Sequence, residues 1–308
     1  MFVFIILPYV YAEADSLFQT ELSTGCGMMT GNTKYRIGGN VKSGTGSYKM
    51  HFPVSKLDFP IYAYFFSLSA GINITDKLTC AISWGTDLAS DPKNLRDYDW
   101  KTSPDELSIY SESLLDMEAG VFSGEIQYHI FGIDLDHLSS FFNTGDRWQM
   151  TAGAGCLYRQ LDFTAYDTLQ TYPGKSTSYD FISGRTLKYS VKYLVPFLEL
   201  GMMVETARGA SAALSVGYSP VVNVTDKDRH LLRDLTSEAD CEGEAFILSL
   251  KGRYNFFRRW FAVLSLSRVD IWTEGDSQTF FKGNWIHTIE TEIESRQFLG
   301  SIEFGKQF

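Results

Sequence analysis

Proline and long apolar runs are scarce in this chain. Its 308 residues include 8 prolines. After the apolar run at the amino terminus, no segment offers the ~20 unbroken apolar residues of a membrane-spanning helix. A helical membrane protein is therefore excluded. Basic residues are also in deficit, since 27 Lys and Arg face 37 Asp and Glu, which gives a net charge of −10. This balance argues against a nucleic-acid partner, because nucleic-acid binding needs a basic surface.

Cysteine is sparse as well, and its spacing matches no metal-binding pattern. Cys26, Cys80, Cys156 and Cys241 are far apart, with no Cys-x-x-Cys pair, so we expect no metal and no cofactor. Cys80 and Cys156 fall on strand-like runs, where packing is their expected role. The spacing leaves a disulfide between Cys26 and Cys241 open.

Aromatic residues, in contrast, make up 15% of the chain, which favours strands. Apolar residues alternate with polar or small ones through residues 62–72, 77–84, 187–197 and 245–254. This period of two is typical of strands with one apolar face and one polar or small face.

The length and connection of these runs distinguish a barrel from a soluble sandwich. Runs such as 57–74 and 182–204 are long compared with the usual strand of about 5–6 residues. Short turns alternate with long polar connections, as in outer-membrane barrels. The sequence thus predicts an all-β fold, a closed antiparallel ten-stranded transmembrane β-barrel with long extracellular loops and short periplasmic turns. The predicted strands lie near 15–26, 53–73, 77–87, 107–130, 147–165, 181–206, 209–221, 244–255, 259–273 and 285–308.

The amino-terminal segment resembles an export signal. An apolar run from Phe2 to Tyr11 leads to Ala12-Glu13-Ala14, a pattern typical of a secretory signal peptide. We therefore expect residues 1–14 to be a signal peptide, truncated at its start because a basic beginning is missing. Residues 15–308 are expected to form a single barrel domain. A buried first strand is the alternative.

Two polar segments carry the candidate chemistry. Asp97 and Asp99 are separated by one residue, and Asp226, Asp228 and His230 follow one another at the same spacing. Each set therefore projects to one side of an extended chain. In a ten-stranded barrel both segments lie in long loops that face each other across the lumen. His230, with an ordinary pKa near 6.5, would be a general base oriented by Asp228. Asp97 and Asp99 would hold the same water, and one of them would carry a proton.

Taken separately, these motifs occur in many loops, and other interpretations stay open. One is a non-catalytic outer-membrane barrel, either an adhesin or a small channel. Another is a barrel lipid hydrolase that uses a nucleophilic serine such as Ser108, Ser111 or Ser237, although no nucleophile motif supports it.

Taken together, the motifs resemble the omptin family of ten-stranded outer-membrane endopeptidases. The order of the segments along the chain carries the resemblance. The matching segments are Leu57-Asp58-Phe59, Ala70-Gly71-Ile72-Asn73, Ile82-Ser83-Trp84, Asp97-Tyr98-Asp99-Trp100 and Asp228-Arg229-His230.

The resemblance implies an aspartic-type endopeptidase in the bacterial outer membrane, with its active site facing the exterior. Its catalytic residues would be Asp97, Asp99, Asp228 and His230, which activate a water without forming an acyl-enzyme. The resemblance makes Asp226 a substrate-binding residue for basic side chains, and cationic peptides or proteins the substrates. It also implies outer-membrane lipid as a partner, with lipopolysaccharide as an activating lipid.

This chain departs from the family pattern at one substrate-binding position and at the positions that contact lipid. The family's second acidic position for a basic side chain falls on Tyr35. The family's lipopolysaccharide-contacting residues are not matched around Cys156, Tyr158 and Gln160, although Lys192 matches one basic position.

Overall fold

The computed structural model describes residues 19–100, 103–134, 146–174, 179–257 and 259–308, and these residues are almost wholly β-strand. The expected signal peptide, residues 1–14, lies outside the described residues. In chain order the strands are β1 (Gln19–Ser43), β2 (Gly46–Lys49), β3 (Ser55–Thr75), β4 (Leu78–Ser90), β5 (Lys93–Asp99), β6 (Ile109–Asp134), β7 (Arg147–Thr171), β8 (Tyr179–Glu205), β9 (Ala210–His230), β10 (Leu235–Phe257), β11 (Trp260–Phe281) and β12 (Asn284–Gln307).

The sheet closes on itself because β1 pairs antiparallel with both β12 and β3. The closed circuit runs β1-β12-β11-β10-β9-β8-β7-β6-β4-β3 and back to β1. Strand β2 pairs with the end of β1, and β5 lies between β3 and β6. Closure gives each strand of the circuit two neighbours and removes the exposed edges of an open sheet.

The described part of the chain thus holds twelve strands rather than the predicted ten. The additional strands, β2 and β5, lie within segments that the sequence interpretation assigned to loops. Strand β5 follows β4 after a break at Asp91 and Pro92. Proline has no backbone N–H to donate, which accounts for the interruption of the ladder there.

Several strands also run farther than predicted. Strand β9 continues to His230 and β10 begins at Leu235, so the expected loop at 222–243 is reduced to a short turn. Outward residues at this end are polar, as with Asn223 and Lys227. The apolar alternation ends there although the backbone pairing continues, because the outer surface changes from apolar to polar.

A belt of exposed apolar side chains surrounds the barrel below that level. Among the described residues, no helix is long and apolar enough to cross a membrane. The belt is the outward surface expected of an outer-membrane barrel. On β8 to β12 it includes Leu198, Leu200, Met202, Leu214, Val216, Tyr218, Leu248, Leu250, Leu264, Leu266, Ile302 and Phe304.

Above the belt, aromatic rings from four strands fill the lumen. Tyr189 of β8 stacks on Phe59 of β3 at 4.4 Å between ring centroids, and Phe59 lies 5.1 Å from Phe163 of β7. Tyr35 reaches in from β1, and its ring centroid is 5.8 Å from that of Tyr189. We call Tyr35, Phe59, Phe163 and Tyr189 the aromatic layer. All four side chains are buried.

Beneath the aromatic layer lies a cavity of about 430 Å³, lined by many apolar side chains together with serines and charged residues. Lys251 pairs with Glu125 at 3.0 Å and Arg253 with Glu21 at 2.6 Å. These ion pairs join opposite or distant strands, as expected where charges leave water and need partners.

The four cysteines are free. Cys26 is exposed on β1, whereas Cys241 is buried on β10. The disulfide that the sequence left open is therefore not formed.

The backbones of β1 and β12 approach each other closely at Gly25, and this predicts an effect on stability. A Cβ added at Gly25 would lie 2.2 Å from the carbonyl oxygen of Ile302, so the backbone would have to shift. We expect Gly25→Ala to lower the free energy of unfolding by about 1–3 kcal/mol, the usual cost of overpacking. Urea unfolding in detergent, read from the electrophoretic mobility of folded and unfolded barrel, measures this.

The matched control is Gly71→Ala on the neighbouring strand β3. Its added Cβ would meet nothing closer than 3.9 Å, so stability should stay within about 0.5 kcal/mol of the parent. An equal loss of stability in both variants would show that the close approach of β1 and β12 is not the cause.

Candidate active site

Asp97 lies on β5, and its side chain faces the interior. Its Oδ2 accepts a hydrogen bond from the Ser111 hydroxyl on β6 at 3.4 Å. Its Oδ1 is buried and has no hydrogen-bond partner within the described residues. Strand alternation places Asp99 on the same face as Asp97, as the extended-chain reasoning predicted. Ser111, considered from sequence only as a nucleophile, instead holds one of the carboxylates.

The residues between and after the two aspartates face outward. The Tyr98 ring stacks on Trp100, with 6.0 Å between centroids and 14° between planes. Lys56 lies 5.1 Å above the Tyr98 ring, and Tyr110 packs beside it at 5.1 Å. These contacts tie β5 to β3 and β6 from outside. They fix the direction in which Asp97 and Asp99 point.

Asp228 and His230 lie at the end of β9, where alternation again directs both side chains inward. His230 Nε2 is 3.2 Å from Asp228 Oδ2. Asp228 is only 3% exposed, while His230 remains partly exposed. The chain turns directly after His230, and the Leu231 N–H donates to the Thr186 carbonyl at 3.0 Å. That bond fixes the end of β9 against β8.

The electrostatics of His230 and Asp228 favour the charged imidazole. Burial lowers the pKa of His230, but the negative charge of Asp228 and its hydrogen bond raise it more strongly, and Asp97 adds to this effect. The net pKa of His230 is raised above its ordinary value. An imidazole in this position readily accepts a proton near neutral pH.

The two segments interact across the mouth of the barrel. Burial raises the pKa of Asp97 to about 7, and the neighbouring charge of Asp99 adds to the increase. The positive charge of His230 lowers this pKa and the charge of Asp228 raises it. Asp97 therefore lies within the electrostatic reach of both groups on β9. The structure thus brings Asp97 and the Asp228–His230 pair near one another at the same mouth of the barrel.

Asp226 lies one inward position deeper on β9 and is only 6% exposed. Tyr189 donates its hydroxyl to Asp226 Oδ2 at 3.0 Å, and the Ala239 N–H donates to Oδ1 at 3.1 Å. Burial raises the pKa of Asp226, and the charge of Asp228 adds to the increase. Both carboxylate oxygens are thus engaged by the protein itself.

Tyr35 completes the wall beside Asp226. Its hydroxyl donates to Ser277 on β11 at 3.2 Å. Burial raises the pKa of Tyr35, and the charges of Asp226 and Asp228 add to the increase. The phenol is therefore neutral and close to both carboxylates. Sequence reasoning found Tyr35 as a departure from a pattern but not its contact with Ser277.

Among the described residues, no three His, Cys, Asp or Glu side chains converge in a way that could hold a metal ion.

A closed antiparallel barrel with an apolar belt and a polar cluster at one mouth defines the outer-membrane barrel class. Family comparison identifies the particular group. The chain belongs to the omptin family, whose model matches residues 19–274.

Solved structures support the fold. The outer-membrane protease OmpT from Escherichia coli superposes with a TM-score of 0.76 at 15% identity, covering 94% of this chain and 97% of that one. The outer-membrane protein OprG from Pseudomonas aeruginosa has 12% identity with coverages of 94% and 95%, but its TM-score is only 0.37. No curated protein sequence matches the chain.

The pKa of Asp97 predicts a pH dependence of stability. Between the unfolded pKa of 3.8 and the folded pKa of about 7, the folded state binds a proton that the unfolded state has released. The free energy of unfolding should then fall as pH rises through this window. Asp97→Asn removes the proton difference, so its unfolding free energy should fall less between pH 4 and 8.

Urea unfolding midpoints across that pH range measure the slope. The control is Asp76→Asn, an exposed residue in the turn before β4, which should keep the parent slope. An unchanged slope in Asp97→Asn would show that Asp97 does not hold the proton.

Proposed function

We propose that this protein is an outer-membrane endopeptidase that hydrolyses peptide bonds with an activated water. The observation that carries the proposal is the Asp228–His230 pair, 3.2 Å apart, within electrostatic reach of Asp97 at the same mouth. Membership of the omptin family agrees with it.

His230 is the general base in this mechanism. Its Nε2 faces Asp228, so an Nε2–H donated to that carboxylate leaves Nδ1 as the nitrogen that accepts a proton from water. Asp228 orients the ring and stabilises the imidazolium that forms. This division of labour is the one by which a carboxylate supports a catalytic histidine in other hydrolases.

Asp97 and Asp99 hold the water from the other side. Two neighbouring carboxyls do not both ionise easily, so one carries a proton while the other accepts a hydrogen bond from the water. The buried Oδ1 atoms of Asp97 and Asp228 have no partner among the described residues, and both suit a bound water. Ser111 donates to Asp97, which favours water over serine as the nucleophile.

The apolar belt supports the proposed location, and the charge of the chain supports the proposed substrate. The apolar belt supports residence in the bacterial outer membrane, and the candidate site lies above that belt, at the mouth assigned to the exterior. A net charge of −10 favours the approach of cationic peptides or proteins. The aromatic layer fills the lumen below the site, which favours an enzyme over a channel.

Lipopolysaccharide is the proposed activating lipid. A groove of about 750 Å³ on the outer wall is lined by four basic residues together with several acidic ones. Lipid phosphates would be held there by charge-assisted hydrogen bonds. The basic residues are Arg185, Lys188, Lys227 and Arg229. Adding lipopolysaccharide to lipid-free protein in detergent should raise peptide cleavage, and unchanged cleavage would contradict this part of the proposal.

Substitution of the base tests the mechanism. We expect His230→Ala and Asp228→Asn to keep a folded barrel and to lower kcat by about 10²–10⁴-fold, the usual contribution of general base catalysis. A fluorogenic peptide library, assayed with refolded protein in detergent and lipopolysaccharide, measures kcat and KM.

The control is Thr225→Ala, an exposed residue on the outer face of the same strand, which should leave kcat unchanged. Full activity in folded His230→Ala would overturn the mechanism. Robust ion conductance in planar bilayers without any cleavage would favour the channel alternative.

A further inference from the structure

Asp226 lies one inward position below Asp228 and accepts a hydrogen bond from the Tyr189 hydroxyl at 3.0 Å. The Tyr35 ring lies 5.8 Å from the Tyr189 ring. A substrate side chain directed into the barrel from a peptide bond at Asp228 and His230 would therefore meet Asp226, Tyr35 and Tyr189. We propose that this subsite selects an uncharged substrate side chain, and that Tyr35 is the residue that determines this specificity. The inference rests on the proposed peptidase function, and it names the substrate class at one position of that same site.

Tyr35 brings its ring across the lumen from the wall opposite Tyr189. Strands β1 and β8 are five places apart in the circuit, yet the two ring centroids are 5.8 Å apart. The side chain is 3% exposed, and its hydroxyl is committed to Ser277. The subsite is therefore walled by phenol rings, which offer apolar surface and hydrogen-bonding oxygens but no negative charge.

The one carboxyl group in this wall is already engaged. Asp226 accepts from the Tyr189 hydroxyl and from the Ala239 N–H. A guanidinium or ammonium group entering here would lose its water and would find each oxygen already accepting one hydrogen bond. Removing a charge from water is costly unless a well-placed counter-ion offsets the loss.

The charge state of this wall also disfavours a cationic substrate side chain. Burial raises the pKa of Asp226, and the charge of Asp228 adds to the increase, so negative charge on this carboxyl is disfavoured. Such a carboxyl and a neutral phenol offset little of the desolvation of Arg or Lys. The rings of Tyr35 and Tyr189 instead offer apolar contact to an uncharged side chain. Cationic residues elsewhere in a substrate remain attracted by the acidic protein as a whole.

Matched peptides test the specificity directly. One fluorogenic peptide is made with Arg, Gln or Leu at the residue on either side of the cleaved bond, and its flanking Lys residues are kept constant. We expect wild-type protein to cleave the Gln or Leu peptide with a kcat/KM at least equal to that of the Arg peptide. A site built on an ion pair would instead prefer Arg by about 100-fold or more.

Substitutions of Tyr35 provide a second test of the specificity. Tyr35→Glu supplies a carboxylate and should shift the kcat/KM ratio toward the Arg peptide by about 10-fold or more. Tyr35→Phe keeps the ring and should retain the wild-type preference. Electrophoretic mobility confirms folding, and the wild-type ratio decides the question even where Tyr35→Glu does not fold.

The outcomes separate this inference from the proposed function. A wild-type preference for Arg of about 10-fold or more, or an unchanged ratio in folded Tyr35→Glu, would overturn the inference while leaving the peptidase intact. If no peptide is cleaved, the proposed function fails. Binding of the same three peptides to His230→Ala, measured by calorimetry, then still decides the preference of the subsite.

Discussion

The closed hydrogen-bonded circuit is the constraint on which the rest of this molecule depends. Because β1 pairs with both β3 and β12, neighbouring residues on each strand must alternate between lumen and outside. That alternation directs apolar side chains outward at the belt and directs Asp97, Asp228 and His230 inward at the mouth. A slip of one residue in any register would turn these side chains outward. The candidate site is therefore a consequence of closure as much as of its own residues.

The aromatic layer gives the carboxyl groups at the mouth their unusual electrostatics. Rings from β1, β3, β7 and β8 replace water below the site, while His230 above remains partly exposed. Burial on one side is what raises the pKa of Asp97 and of Asp226. Such groups weaken the folded state near neutral pH. The long strands supply the rigidity that holds them in place, and a proton held near pH 7 is useful to a hydrolase.

Sequence reasoning predicted the closed barrel from the length and connections of the alternating runs, and it predicted the common face of each aspartate set from their period of two. It did not predict β2, β5 or the continuation of β9 to His230. Those segments carry polar side chains on the outside, and the apolar alternation that signals a strand is lost above the belt although the backbone still pairs. The Ser111 contact with Asp97 was also missed. It joins residues 14 apart whose strands become neighbours only once the register is fixed.

Tyr35 links the stability of the site to its selectivity. The charges of Asp226 and Asp228 both raise the pKa of its hydroxyl, so their fields reach this position. A carboxyl group there would experience the same fields and would add a third acidic group to a buried cluster. Like charges held close together in a poorly solvated site are costly. A phenol avoids this cost and still donates to Ser277. The chain thereby limits repulsion beside the Asp228–His230 pair, and what it gives up is an ion-pairing wall for a basic side chain.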